Sequence, residues 1–238
     1  MLSRSESKYI QTLSHKKQRD AERLFVVEGN KLAKEVLNSN YKVDKVYATQ
    51  SWMNGNQKIE ATLVTEDELQ KISNLQTAND VLLIVEMSPY QRITSFKNTI
   101  TLALDGIQDP GNFGTIIRIA DWFGIQQIIC SKDCVELYNP KVIQSTMGSF
   151  IRVNINYVDL DTTLQEANVP VYGALLNGGD VKEIEKPQEG ILIIGNESKG
   201  IREPLLSHIN KAISIKRIGG AESLNAAVAT GILLSHLV

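Results

Sequence analysis

The feature that most restricts the fold of this chain lies beyond residue 99. Short apolar runs recur there: "ITLAL" (100–104), "QIIC" (127–130), "IRVNINYV" (151–158), "VPVYGALL" (169–176), "GILIIG" (190–195) and "AISIK" (212–216). Helical patterns separate most of them. Short continuous apolar runs are strands covered on both faces, and such strands joined through helices form a parallel sheet with helices on both faces. Ligands of such sheets bind beyond the carboxyl ends of the strands. Chemistry is therefore expected in the segments after residues 104, 176, 195 and 216.

The first ninety residues alternate shorter elements. Strands are expected at 24–27, 42–48, 59–65 and 81–87, and helices at 31–39 and 66–74, the second with acids in its first turn where the helix dipole favours them. The polar stretch "SPYQRITSFKN" (88–98) reads as a linker. Two domains follow: a smaller α/β domain over 1–95 and a parallel-sheet domain over 96–238.

Of the 238 residues, 42% are hydrophobic and 22% charged, an ordinary globular composition. No apolar run approaches the roughly 18 residues that span a membrane. The first twenty residues contain no apolar core of the signal-peptide kind. Cys130 and Cys134 have no second Cys or His pair to complete a zinc site, so no metal is expected and they read as reduced thiols of a cytoplasmic protein. His15, His208 and His236 stand in unrelated contexts, and no serine–histidine–acid set is evident. The net charge is −2, but residues 1–34 hold eight basic and four acidic residues, leaving 17 basic and 23 acidic in the remainder. A basic arm on an acidic body marks either a phosphate-seeking segment or a solvated terminus.

Three of the four strand-end segments are unusual. In "LALDGIQDPGNFGTIIRIADWFG" (102–124), Pro110-Gly111 makes a turn and Asn112 reads as the N-cap of a helix. Phe113, Ile116, Ile117 and Ala120 fall on its core face. Gly114, Arg118 and Asp121 share another face, where a glycine one turn before an arginine clears space for a ligand; the plain alternative is a surface Arg118–Asp121 pair. In "IIGNESKGI" (193–201), Gly195 and Gly200 bracket Asn-Glu-Ser-Lys, which suits close approach of backbone to a ligand or to a plain strand-to-helix turn. In "IKRIGGAESLNAAVATG" (215–231), Ser223 reads as an N-cap, with Asn225 beside it and Ala226, Ala227, Ala229 and Gly231 behind. Neither a G-x-x-x-x-G-K-[ST] loop nor a G-x-G-x-x-G turn is present, which disfavours a nicotinamide-dependent oxidoreductase.

Together and in this order, "NFGTIIR" (112–118), "IIGNESKGI" (193–201) and "SLNAAVA" (223–229) resemble the three signature motifs of the SpoU (TrmH) family of RNA ribose 2′-O-methyltransferases. "STMGSF" (145–150) is similar to a segment found between the first two. "KKQRDAERLFVVEGNKLAKEVL" (16–37) is similar to the opening of the RNA-substrate-binding domain many members carry. The resemblance implies a deep C-terminal trefoil knot, S-adenosyl-L-methionine as cofactor, and a homodimer formed through the knotted domain. It implies cofactor contacts from Leu175, Ile194, Gly195, Asn196, Gly200, Ile215, Ser223 and Leu224, largely through main-chain atoms. It makes Arg118 the catalytic arginine, with Asn112, Glu197, Ser223 and Asn225 orienting it and the ribose. Lys16, Lys17, Arg19 and Arg118 are expected to contact RNA. Ribosomal RNA is the first expectation, transfer RNA is the alternative, and a 2′-hydroxyl target excludes DNA. A non-catalytic RNA-binding member is the competing reading. The third motif departs from the family in one respect: Lys216-Arg217 stand where members often carry Pro-Met or similar apolar residues.

Overall fold

The computed structural model describes residues 2–88, 93 and 95–238, so the linker expected over 88–98 lies partly outside the described residues. The chain divides into two compact units: Met1–Pro89 with Leu137–Ile151, and Tyr90–Glu136 with Arg152–Val238.

The first unit carries helices α1 (Arg4–Thr12), α2 (Lys16–Glu22), α3 (Asn30–Leu37), α4 (Gln50–Gly55) and α5 (Glu66–Ile72), and strands β1 (Leu24–Glu28), β2 (Val43–Ala48), β3 (Thr62–Leu63) and β4 (Val81–Glu86). The sheet order is β1-β4-β2-β3, antiparallel except for β2 with β3. The basic amino-terminal segment is folded as α1 and α2 rather than extended. Ser3 caps α1, and Thr65 with Glu68 forms a reciprocal capping box on α5. Only Thr62–Leu63 of the strand expected at 59–65 pairs.

One face of this sheet packs Val26, Tyr47, Leu82 and Ile84 against Ile10 and Leu13 of the α1 region and Leu69 and Ile72 of α5. Side chains alternate along a strand, so Phe25 points to the other face. There it meets Tyr41 (6.0 Å between ring centroids), Tyr138 (4.5 Å) and Phe150 (5.9 Å). Tyr138 and Phe150 flank α7 (Pro140–Thr146), far along the chain. Burial pushes the Tyr41 hydroxyl well above the usual tyrosine range. The turn after α7 passes through Met147 (φ 51°) and Gly148 (φ 97°). A Cβ on Gly148 would lie 2.8 Å from Cγ of Glu35 in α3, so glycine is required both by conformation and by contact.

The second unit is a six-stranded sheet, all parallel as expected, of β5 (Ile100–Leu104), β6 (Gln127–Ser131), β7 (Asn154–Val158), β8 (Val171–Asp180), β9 (Gly190–Ile194) and β10 (Lys211–Ser214). Its helices are α6 (Pro110–Trp122), α8 (Leu160–Glu166), α9 (Glu203–Leu206) and α10 (Ala226–Leu237). Ala103, Ile129, Ile191 and Ile193 pack with Leu160, Leu164 and Leu205 of α8 and α9. Phe113, Ile116, Ile117 and Ala120 of α6 are fully buried, as their spacing predicts, and α6 packs against α10. The sheet order is β10-β8-β9-β5-β6-β7. The chain therefore builds outward from β5 through β6 and β7, then returns to the other side, and β9 lies beside β5. That reversal is the switch point at which parallel sheets open a ligand crevice.

Candidate active site

The segments leaving β5 and β9 meet at this switch point. Helix α6 starts two residues before Asn112. Asp109 is its N-cap, its Oδ1 accepting from the Asn112 amide at 2.8 Å, and Pro110 takes the first helical position. This corrects the expectation that Asn112 caps the helix, and the Asp-Pro pair was the signal for it. With the cap made by Asp109, the Asn112 side chain is released for another task.

That task is visible in its contacts. Asn112 Nδ2 donates to Glu197 Oε1 at 2.8 Å, and Asn225 Nδ2 donates to Asn112 Oδ1 at 2.8 Å. Asn225 Oδ1 accepts from the amides of Ala227 (3.0 Å) and Val228 (3.2 Å), capping α10. Asn225 therefore does what was expected of Ser223, which is exposed just outside the helix. The direction of the relay is fixed at both ends. An ionised carboxylate only accepts and a helix amide only donates, so both asparagines present their NH₂ groups toward Glu197. Two segments, more than eighty and more than a hundred residues away along the chain, are tied by side chains to that of Asn112 in one arrangement.

Arg118 is exposed on α6 and makes no hydrogen bond or ion pair among the described residues. It is not paired with Asp121, whose carboxylate takes a bidentate contact from Arg152 (2.8–3.1 Å). The guanidinium is thus presented to solvent.

The turn after β9 is held on several sides. Asn196 and Gly200 exchange backbone hydrogen bonds (3.0 and 2.9 Å). A Cβ on Gly195 would lie 2.3 Å from the carbonyl carbon of Gly200 and from the Ile201 amide nitrogen, so only glycine allows the turn to close. Asn196 Nδ2 donates to the Gly106 carbonyl at 2.7 Å. Asp105, at the end of β5, is fully buried and accepts from the Arg202 amide (2.8 Å) and Nε (2.6 Å), and it pairs with Nη2. This pairing raises the proton affinity of Arg202. The Ser131 hydroxyl, followed by the residue's own amide and then Arg202, holds the Asp133 carboxyl below the usual range. Sequence patterns did not reveal Arg202. Asp105 had a faint signal, an acid ending an apolar strand.

Of the remaining expected cofactor residues, Ile194 is buried and its carbonyl accepts from the Asp105 amide at 2.9 Å. Leu175 packs partly against the core within β8, which runs on to Asp180, so no loop follows residue 176. Ile215 is half-buried, and Leu224 is 48% exposed. From Ile215 to Leu224 no main-chain amide bonds another backbone group among the described residues; Arg217 Nη1 reaches the Ala221 carbonyl at 3.4 Å. Leu176 and Ile218 are 81% and 95% exposed. Free main-chain donors and acceptors beside uncovered apolar side chains fit a heteroaromatic ligand gripped largely through backbone, as S-adenosylmethionine would be.

Lys16 and Lys17 are exposed at the start of α2, whereas Arg19 is not available to RNA. Arg19 is 1% exposed and its Nη1 donates to the carbonyls of Leu13 (2.8 Å) and Ser14 (2.7 Å), closing the end of α1. A buried guanidinium held by main-chain carbonyls is a structural strut, which corrects its expected role. Cys130 and Cys134 are free and buried, and burial pushes the Cys130 thiol up. Among the described residues no group of acids, histidines and cysteines is arranged to hold a metal, and no helix is long and apolar enough to cross a membrane.

Comparison with known proteins agrees with the motifs. Residues 99–235 match the model of the SpoU rRNA Methylase family, and residues 5–83 match the MRM3-like substrate binding domain. The 23S rRNA (guanosine(2553)-2′-O)-methyltransferase RlmP of Bacillus subtilis is 32% identical over 94% of this chain and 92% of its own length. A putative RNA methyltransferase of the TrmH family from Porphyromonas gingivalis superimposes with a TM-score of 0.89 at 32% identity, covering 100% of this chain and 98% of that one. An AdoMet-bound rRNA methyltransferase from Sinorhizobium meliloti gives 0.87 at 29% identity, covering 100% and 96%. The chain belongs to the SpoU rRNA methylase family.

Proposed function

We propose that the protein transfers a methyl group from S-adenosylmethionine to a ribose 2′-hydroxyl of ribosomal RNA. The observation that carries this reading is the Asn225–Asn112–Glu197 relay, which joins all three signature motifs at the switch point of the sheet. The B. subtilis relative is named for a guanosine of 23S rRNA, so that RNA is the first to offer.

When bound, S-adenosylmethionine supplies a methyl group already activated by its sulfonium. The chain's task is to align a ribose hydroxyl and to stabilise the negative charge that grows on its oxygen. Arg118 is normally always protonated, so it acts as a stabiliser of the developing alkoxide rather than as a simple base. Its fork also holds the adjacent phosphate, which helps accept the proton. Asn112, Glu197, Ser223 and Asn225 orient the arginine and the ribose. Gly195, Asn196, Gly200, Ile215 and Leu224 hold the cofactor, with Leu175 and Ile194 behind them. Lys16 and Lys17 meet RNA phosphates.

Residues 1–95 act as the RNA-substrate-binding domain and 96–238 as the methyltransferase domain. The latter is a deep trefoil knot. Support comes from backbone packed on backbone, Gly195 against Gly200–Ile201 and Gly178 against Ala212–Ile213, where a Cβ would meet main-chain atoms at 2.3 and 2.6 Å. The working form is a cytoplasmic homodimer through the knotted domain, supported by Trp122 (84% exposed) on α6 and Val228 (52%) on α10.

The test is transfer of label from S-adenosylmethionine to total ribosomal and transfer RNA from a strain lacking the gene. Label in ribosomal RNA with wild type, and none with Arg118→Ala, is the expected result. Label in transfer RNA alone overturns the substrate, and cofactor binding without label in either RNA favours a non-catalytic binding protein. Near-full turnover by Arg118→Lys would make a bidentate role untenable.

A further inference from the structure

We propose that Asp105 and Arg202 are positioning residues for methyl transfer, a buried ion pair that sets the height of the Asn196–Ile201 turn so that Glu197 stays within reach of Asn112. The inference rests on the role given above to Glu197.

Asp105 is the first residue after β5, and its side chain is entirely removed from solvent. A buried carboxylate persists only when its lone pairs are filled. Here the three donors come from one residue, Arg202: its amide, Nε and Nη2. Asp105 therefore grips both the backbone and the side chain of the residue that leaves the turn. The neighbouring Gly106 carbonyl grips the residue that enters it, accepting from Asn196 Nδ2 at 2.7 Å. Inside the turn, Asn196 Oδ1 accepts from the amides of Ser198 (3.0 Å) and Lys199 (3.1 Å). Glu197 sits at the tip of a bracket whose two feet both stand on Asp105-Gly106.

The same dipeptide begins the connection that ends in the Asp109 cap and Asn112. Donor and acceptor of the Asn112–Glu197 bond are thus referenced to one short piece of backbone. The outer edge of the Arg202 guanidinium faces Asp133 at 3.3–3.4 Å, which keeps its plane in register with Asp105. Arg202 makes no hydrogen bond or ion pair to the relay residues, so it acts on Glu197 through the turn that carries it.

The experiment is a double-mutant cycle of Arg202→Gln and Glu197→Ala in the full chain, read as kcat and KM for label transfer to ribosomal RNA. Arg202→Gln is expected to lower kcat by about 10- to 100-fold in wild type and by less than about threefold in Glu197→Ala, because residues acting through one another are non-additive. Arg202→Lys, which keeps the charge and the amide bond, should recover part of the loss. If Arg202→Gln does not fold, Arg202→Lys carries the same cycle. Equal losses in both backgrounds, or a loss confined to thermal stability, overturn the positioning role. A Glu197→Ala variant with unchanged kcat instead sinks the role given to Glu197, whatever Arg202 does.

Discussion

The relay at the switch point predicts the behaviour of one nearly isosteric replacement, Asn112→Asp. The Asn225 side is untouched, since an aspartate oxygen still accepts from Asn225 Nδ2. On the other side the NH₂ that donates to Glu197 at 2.8 Å becomes an oxygen. A hydrogen bond to a charged group is worth about 1.5–3 kcal/mol. Two carboxylates at that spacing repel by about 1.5 kcal/mol in water-like surroundings. Glu197 is exposed, so the side chains swing apart and the repulsion is largely relieved. The net loss is about 2 kcal/mol of orientation, or about 30-fold in kcat if all of it is expressed in the transition state. The assay is steady-state label transfer with the thermal midpoint measured alongside. A kcat for Asn112→Asp within about twofold of wild type would refute the reasoning.

Four further outcomes are expected. Gly195→Ala forces a Cβ against the Gly200–Ile201 backbone, an overpacking cost of about 1–3 kcal/mol; cofactor affinity measured by calorimetry should fall about tenfold or more while far-ultraviolet circular dichroism stays native. Arg19→Met removes two buried charge-assisted bonds and should lower urea stability by about 2–4 kcal/mol without changing RNA affinity per folded molecule, whereas Lys16→Ala should weaken RNA binding and reduce its salt slope by about one. Glu6 accepts from Tyr47 and Lys45, which hold its carboxyl below the usual range. The folded chain therefore binds fewer protons there than the unfolded one, and the stabilisation is fully present above about pH 4.3 and fades as pH falls through the folded-state value. Glu6→Gln should flatten the acid limb of a stability-versus-pH curve and leave its neutral part parallel to wild type.

The parallel sheet was legible because both faces of its strands are buried, which writes apolar runs such as "ITLAL" and "GILIIG" directly into the chain. The core face of α6 was equally plain from its spacing. The caps were misplaced for one reason: several residues in a row can cap, and geometry selects among them. Asp109 outcompetes Asn112, and Asn225 outcompetes Ser223. Arg19 misled because burial of a guanidinium depends on carbonyls left open at the end of α1, which charge counting cannot see. The Arg202–Asp105 pair spans 97 residues and belongs to no local pattern.

The first unit has a consequence for how the chain is made. Its aromatic face needs Tyr138 and Phe150, so residues 1–88 leave the ribosome with Phe25 and Tyr41 still lacking their cover. Another 63 residues, Pro89 to Ile151, must be synthesised first, about 3–13 s at ordinary rates of about 5–20 residues per second. During that interval β5, α6 and β6 have already emerged, so the amino-terminal unit is completed only after part of the second unit has been made. A stop codon placed after residue 95 would release a sheet with one bare aromatic face, whereas a circularly permuted gene that delivers 137–151 earlier would shorten the wait.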